Sequence, residues 1–209
     1  MNVFVLSTGR CGSTTFARAC GHIENYSAAH ESRISHVHGR VDYPDNHIEV
    51  DNHLSWFLGP LDEQYGDDAF YVHLQRDLEE TARSRMRREA QKVDPGLMWA
   101  YGQRLIWEND EAELIDVCRH YCRTVNANIR LFLENKSKTM TVHLESAEED
   151  FRVFWNRIEA TGDIDSAVHE WKRRYNETEE SKTEQSLGTR AIKKIGRLVY
   201  KLPQFIKDA

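Results

Sequence analysis

Val3-Phe4-Val5-Leu6-Ser7-Thr8-Gly9-Arg10-Cys11-Gly12-Ser13-Thr14-Thr15 opens the chain. The apolar run Val3–Leu6 is short and continuous, as in a strand buried on both faces. Gly9 and Gly12 then punctuate it, and residues 13–20 can be helical. A buried strand, a tight loop and a helix in that order begin a parallel α/β unit. Two glycines let a backbone turn tightly and approach a ligand. The helix that follows offers unbonded N–H groups and the positive end of its dipole, which suits an anion. Ser13, Thr14 and Thr15 add hydroxyls and Arg10 a fixed charge. The general nucleotide loop is G-x-x-x-x-G-K-[ST]. Here the glycines stand closer together, a serine replaces the lysine, and the cation sits inside the loop.

Downstream, strands alternate with helices. Strands are expected over 23–30, 47–51, 69–74 and 139–144. Helices are expected from 53, over 77–90 with Asp77 as N-cap, and over 97–109, 111–135, 148–160 and 164–175. Leu114, Val117, Tyr121, Val125, Ile129 and Phe132 form one apolar stripe along the longest helix. The pattern predicts an α/β domain with a mostly parallel central sheet of about five strands, flanked by helices. It spans residues 1–180. Residues 181–209 carry seven basic and two acidic side chains and read as a basic amphipathic helix ending at Pro203. Such a helix packs on its own domain, or meets an anionic membrane or a protein partner through residues 187–209.

At Thr8–Thr15 the chain resembles the sulfotransferases that use 3′-phosphoadenosine 5′-phosphosulfate. Their loop has the form T-x-R-[SC]-G-[ST]-T in the carbohydrate-type and bacterial branch. The resemblance implies a P-loop-like sulfotransferase fold in which Arg10, Cys11, Gly12, Ser13, Thr14 and Thr15 wrap the 5′-phosphosulfate. The family's second signature is an arginine leaving a strand and a serine eight residues later on the next helix, holding the 3′-phosphate. Arg76 and Ser84 have that spacing, after the run Phe70–Leu74. The bland alternatives are a salt bridge from Arg76 to Asp77 or Glu80, and a solvated helix position for Ser84. Arg83, Arg85, Arg87 and Arg88 share that helix, and most of them are expected in solvent.

The resemblance also implies a general base just after the second strand. His30-Glu31 offers both usual types. Glu31 is favoured and His30 is the alternative, since adjacent side chains of a strand point to opposite faces. Arg10 would also hold the transferred group. A sulfuryl group carries less charge than a terminal phosphoryl group, so no metal is expected. The donor is 3′-phosphoadenosine 5′-phosphosulfate and the product adenosine 3′,5′-bisphosphate. The acceptor is a small molecule, glycan or lipid hydroxyl, with carbohydrate or glycolipid favoured by the branch. Trp56, Phe57, Trp99, Tyr101 and Trp107 are candidate acceptor walls or core residues. The family's late glycine-rich loop has no match. Arg173, Arg174 and Asn176 lie in that stretch without its pattern.

Composition narrows the rivals. The chain has 209 residues, 40% hydrophobic and 30% charged, with a net charge of −6, so a packed core is expected and a nucleic-acid surface is not. Cys11, Cys20, Cys118 and Cys122 are too scattered for a disulfide scaffold, and with no signal-like N-terminus a cytoplasmic location is expected, peripheral to membranes if the tail binds them. Neither Cys118-His120-Cys122 nor the histidines 30, 36, 38, 47 and 53 complete a zinc set. A small-molecule or nucleotide kinase explains the loop but not the missing lysine and magnesium-binding acid. A non-catalytic nucleotide-binding or interaction domain is the remaining alternative. If Glu31 is the base, Glu31→Gln lowers turnover about 10²-fold or more while donor binding is kept, and a wild-type rate in that variant removes it from the role.

Overall fold

The computed structural model describes residues 1–91, 96–108 and 111–173. The basic segment 181–209, Arg174 and Asn176 lie outside them. Five parallel strands form one sheet, in the order β2-β3-β1-β4-β5: β1 Val3–Ser7, β2 Ser27–His30, β3 His47–Val50, β4 Phe70–Gln75 and β5 Thr139–His143. β1 is buried at every position, with β3 on one side and β4 on the other. The outer strands β2 and β5 are more exposed. The α/β fold with a parallel sheet of five strands is therefore the one expected.

The alternation of β1 sorts the helices onto two faces. Val3 and Val5 join a core with Phe16 and Ala19 of α1 (Ser13–Cys20), Phe151 and Phe154 of α6 (Ala147–Arg157), and Ala167 and Val168 of α7 (Ile164–His169). Phe16 meets Phe154 at 5.0 Å between ring centroids. Phe4 points the other way and packs on Tyr43, Tyr65 and Tyr71. Leu61 of α2 (Leu58–Tyr65) is buried, as are Val125 and Ile129 of α5 (Leu114–Leu133), and Phe132 of α5 meets Tyr71 edge-on. β1 leads through α1 to one side of the sheet and β4 leads to β5 on the other, so the connections diverge beyond the carboxyl ends of β1 and β4, where open sheets of this kind bind ligands.

By internal contacts the described residues divide into two compact units, residues 1–81 with 122–173 and the described residues of 82–121. The first holds the sheet. The described part of the second holds the end of α3 (Leu78–Ala90), α4 (Leu97–Ala100), a π-helical turn at Tyr101–Leu105 and the start of α5. The helix expected over 97–109 is thus short: it widens into the π turn, and Trp107 turns left-handed at φ 53°. Two further expectations shift. Residues 23–26 stay out of β2, Ile23 forming only an isolated antiparallel bridge with Gly162, and the helix expected from 53 begins as a 3₁₀ turn, Asn52–Trp56. Asp77 is an N-cap as expected, accepting from the Glu80 N–H at 2.9 Å. All four cysteines are buried and reduced. No helix of the described residues is long and apolar enough to cross a membrane.

β4 buries an imidazole. His73 Nε2–H donates to Asn126 Oδ1 at 3.0 Å and Nδ1 accepts from Gln75 at 2.9 Å, the pattern of a neutral ring. Burial drives its pKa down from 6.5 to about 4, against the opposing bond to Asn126. The unfolded chain therefore binds this proton more readily than the native one. Stability from His73 is full above pH 6.5 and is lost as the pH falls to about 4, by about 3 kcal/mol in all. Urea unfolding of wild type and His73→Asn between pH 4 and 7 checks this, the variant lacking that part of the slope.

Candidate functional site

The loop after β1 is built on left-handed backbone. Gly9, Arg10 and Gly12 have φ of 71°, 64° and 91°, which turns the chain sharply between β1 and α1. Two of the three are glycines, which adopt this region without penalty. Arg10 is the strained exception. Internal bonds hold the shape: the Gly9 N–H donates to Ser7 Oγ at 3.1 Å, the Cys11 thiol to the Gly9 carbonyl at 3.2 Å, and Thr8 Oγ1 lies 3.0 Å from Cys11 Sγ. Ser55 Oγ donates to the Ser7 carbonyl at 3.0 Å. α1 then starts at Gly12 with no side-chain cap. A Cβ at Gly12 would stand 2.8 Å from Leu144 Cδ1 and 3.4 Å from Trp171, so the loop is packed closely from outside.

The side chains divide by role. Those of Cys11 and Thr15 are buried and serve the loop and core. Arg10, Ser13 and Thr14 are half-buried. Arg76 reaches across from the end of β4, its Nη1 3.5 Å from the Arg10 carbonyl, and also pairs with Glu80 at 3.4 Å. The structure thus brings the two arginines of the two sequence signatures together, and the expected Glu80 pairing is present beside that contact. Glu145, after β5, accepts from the Asp77 N–H at 2.8 Å. Ser84 lies in the second unit, on α3, and is buried rather than solvated. Arg83 and Arg88 are exposed, whereas Arg85 is buried with its guanidinium 4.3 Å from the centre of the Tyr121 ring.

His30 and Glu31 diverge at the end of β2. His30 Nε2 is hydrogen-bonded to Ser13 Oγ at the start of α1, at 3.1 Å. Glu31 turns left-handed at φ 52°. Its backbone is clamped on both sides: its own N–H donates to the Val50 carbonyl, and Ser32 donates from N–H and Oγ to the buried Glu49 at 2.8 and 2.7 Å. Glu49 is completed by His47 Nε2–H at 3.0 Å. The Glu31 carboxylate approaches His53 Nδ1 at 4.0 Å.

Sequence reading placed His53 only in a histidine-rich stretch and gave Asp51 no role. Asp51 is fully buried and accepts from the His53 backbone at 2.7 Å, from His53 Nδ1–H at 3.2 Å and from Arg40. Burial alone would raise this carboxyl, but the bonds from His53 and Arg40 outweigh it and hold it below the usual range. The bond to Asp51 in turn raises the His53 imidazole; burial and Arg40 oppose that, and Glu31 adds to it. The Asp-x-His spacing straight after β3 was the available signal. Glu31, Asp51 and His53 are the one group of three potential metal ligands found close together among the described residues. The Arg40 guanidinium pairs with Asp51 there, and His53 Nδ1 is hydrogen-bonded to it. His36 and His38 are exposed in the loop before β3.

Of the candidate acceptor aromatics, Tyr101 is buried and bonded to His120, Phe57 lies under the Arg40 guanidinium at 5.0 Å, and Trp99 meets Arg104. Trp56 and Trp107 are exposed. Trp56 lines a hollow of about 390 Å³ with Ser55, Leu58, Gly59, Leu131 and Phe132.

Compared with protein-family models, curated proteins and solved structures, the chain finds no match. The loop geometry makes its own prediction. Gly12→Ala puts a Cβ on a left-handed backbone and against Leu144, costing about 1–2 kcal/mol and lowering the thermal midpoint by a few degrees, which a melting curve reads directly.

Proposed function

We propose that this protein is a sulfotransferase that moves a sulfuryl group from 3′-phosphoadenosine 5′-phosphosulfate to an acceptor hydroxyl. The observation that carries the reading is the left-handed loop Gly9–Gly12, opening onto the uncapped start of α1, with Arg76 crossing to the Arg10 carbonyl. A helix start, the Arg10 turn and the Arg76 guanidinium then meet where the strand connections diverge, which suits a donor with phosphate at both ends. The resemblance of Thr8–Thr15 and of the Arg76–Ser84 spacing names the donor.

In the reaction the acceptor oxygen attacks sulfur in line, its proton passes to a base, and the bond from sulfur to the phosphate oxygen breaks. The bisphosphate leaves with the electron pair. The chain's part is positioning and charge stabilisation. The loop amides and Arg10 stabilise charge on the transferred group and the leaving phosphate. Arg76 holds the far phosphate, with Glu80 as the partner it exchanges. Glu31 is the proton acceptor, and His30 steadies Ser13 at the loop. The hollow beside Trp56 supports a sugar or glycolipid acceptor, since an indole face suits the apolar face of a pyranose.

Calorimetric titration with adenosine 3′,5′-bisphosphate, without metal, tests the donor site. Micromolar binding that is lost in both Arg10→Ala and Arg76→Ala is expected. No binding, or a preference for ATP with magnesium, overturns the reading and moves a kinase to the front.

A further inference from the structure

The second unit buries a cation that no carboxylate neutralises. Arg85 stands on α3 with 8% of its surface exposed. Its guanidinium carbon lies 4.3 Å from the centre of the Tyr121 ring, and the hydrogen bond it makes is a long one, from Nη2 to the Tyr121 hydroxyl at 3.5 Å. Its Nε–H is buried and has no acceptor. Among the described residues no carboxylate pairs with this arginine. Glu89, one helical turn on, instead accepts from the Trp99 N–H at 3.3 Å. Arg83, Arg87 and Arg88 crowd the same stretch of helix with like charge. Trp99 Nε1 and Trp171 Nε1 are also buried donors without a partner among the described residues. Those two are neutral indoles, for which an unbonded N–H is a modest cost. A guanidinium keeps its charge at any ordinary pH, and a buried charge needs a partner of opposite sign.

We propose that Arg85 anchors an oxyanion site in this unit, receiving a sulfate or phosphate group on the fork formed by Nε and Nη2. In arginine these two nitrogens direct hydrogens to the same side, a geometry that takes two oxygens of one anion. Nε brings a donor with no other bond, and the bond from Nη2 to Tyr121 is long enough to be exchanged. The Tyr121 ring covers the guanidinium, and Tyr101 meets that ring edge-on at 5.2 Å and holds it in turn. Arg85 directly follows Ser84, and successive side chains leave a helix about 100° apart. The fork is therefore a different place from the one that the Arg76–Ser84 spacing implies. The proposal goes beyond the sulfotransferase reading and does not depend on it, since Arg85, Tyr101 and Tyr121 all belong to the second unit.

An NMR titration of the Arg85 Nε–H signal in the full chain tests this, with Arg85→Lys identifying the signal by its loss. Sodium sulfate and sodium phosphate should shift it and saturate at millimolar concentration, and sodium chloride at equal ionic strength should not. Glucose 6-sulfate separates two sources of the same chemistry. If it saturates the shift at lower concentration than sulfate, the group belongs to a larger ligand; if not, the site takes the free ion. Melting curves give a second readout. Arg85→Met removes the charge and keeps packing on Tyr121, so in chloride it should melt at or above wild type, and sulfate should raise its midpoint less. An Arg85 signal that sulfate and phosphate leave where chloride leaves it overturns the proposal. So does an Arg85→Met that melts several degrees below wild type in chloride, since the guanidinium then serves the fold through Tyr121 alone. Because the signal comes from one side chain, neither outcome turns on whether adenosine 3′,5′-bisphosphate binds at the loop after β1.

Discussion

β1 lies between two parallel neighbours and is buried along its whole length, so its chain can leave the sheet only at the carboxyl end. Because every strand is parallel, all five carboxyl ends share that edge. The exit from β1 must reverse direction within a few residues to start α1 on the face that Val3 and Val5 present. Left-handed backbone at Gly9, Arg10 and Gly12 makes that reversal possible. The same turn that solves the packing problem ends at the start of α1, which has no side-chain cap. The groups from the other strand ends, His30, Glu31, Asp51, Arg76 and Glu145, share that edge because the sheet is parallel.

Charge is managed by pairing rather than by exposure. On the Phe4 face, β3 places His47 and Glu49 in a buried layer where an isolated ion would be costly. Each is satisfied: Glu49 by His47 and Ser32, His47 by Ser27. Asp51, next along the same side, is satisfied by Arg40 and His53. These bonds tie the long loop between β2 and β3 back to the sheet, which is why Glu31 stands at a defined place although it follows an edge strand. The His73 ring takes the opposite course, neutral between two amides.

Much of this was legible in residue order. A continuous apolar run, two close glycines and a helix-forming stretch implied a buried strand and a tight turn, and the alternation downstream implied a parallel sheet of about five strands. The apolar stripe of α5 and the Asp77 cap were readable because they depend on neighbours in sequence. The π turn at Tyr101–Leu105 was not, since its apolar residues fit an ordinary helix equally well. The buried polar layer of β3 was hidden for a related reason: His-Ile-Glu-Val reads as an alternating, half-exposed strand, and only the Phe4-face packing makes it internal.

Within the candidate site the division is sharper. Sequence alone determined which residues form the loop, that it carries an arginine in place of a lysine, and that an arginine leaves β4, because backbone freedom at glycine and charge at arginine belong to the residues themselves. Only the tertiary structure decided that Arg76 meets the Arg10 carbonyl, that adjacent His30 and Glu31 part toward Ser13 and His53, and that Asp51 stands behind His53. Those relations join strands separated by tens of residues. They depend on strand order and on the register of β2 against β3, which the packing of the two faces selects.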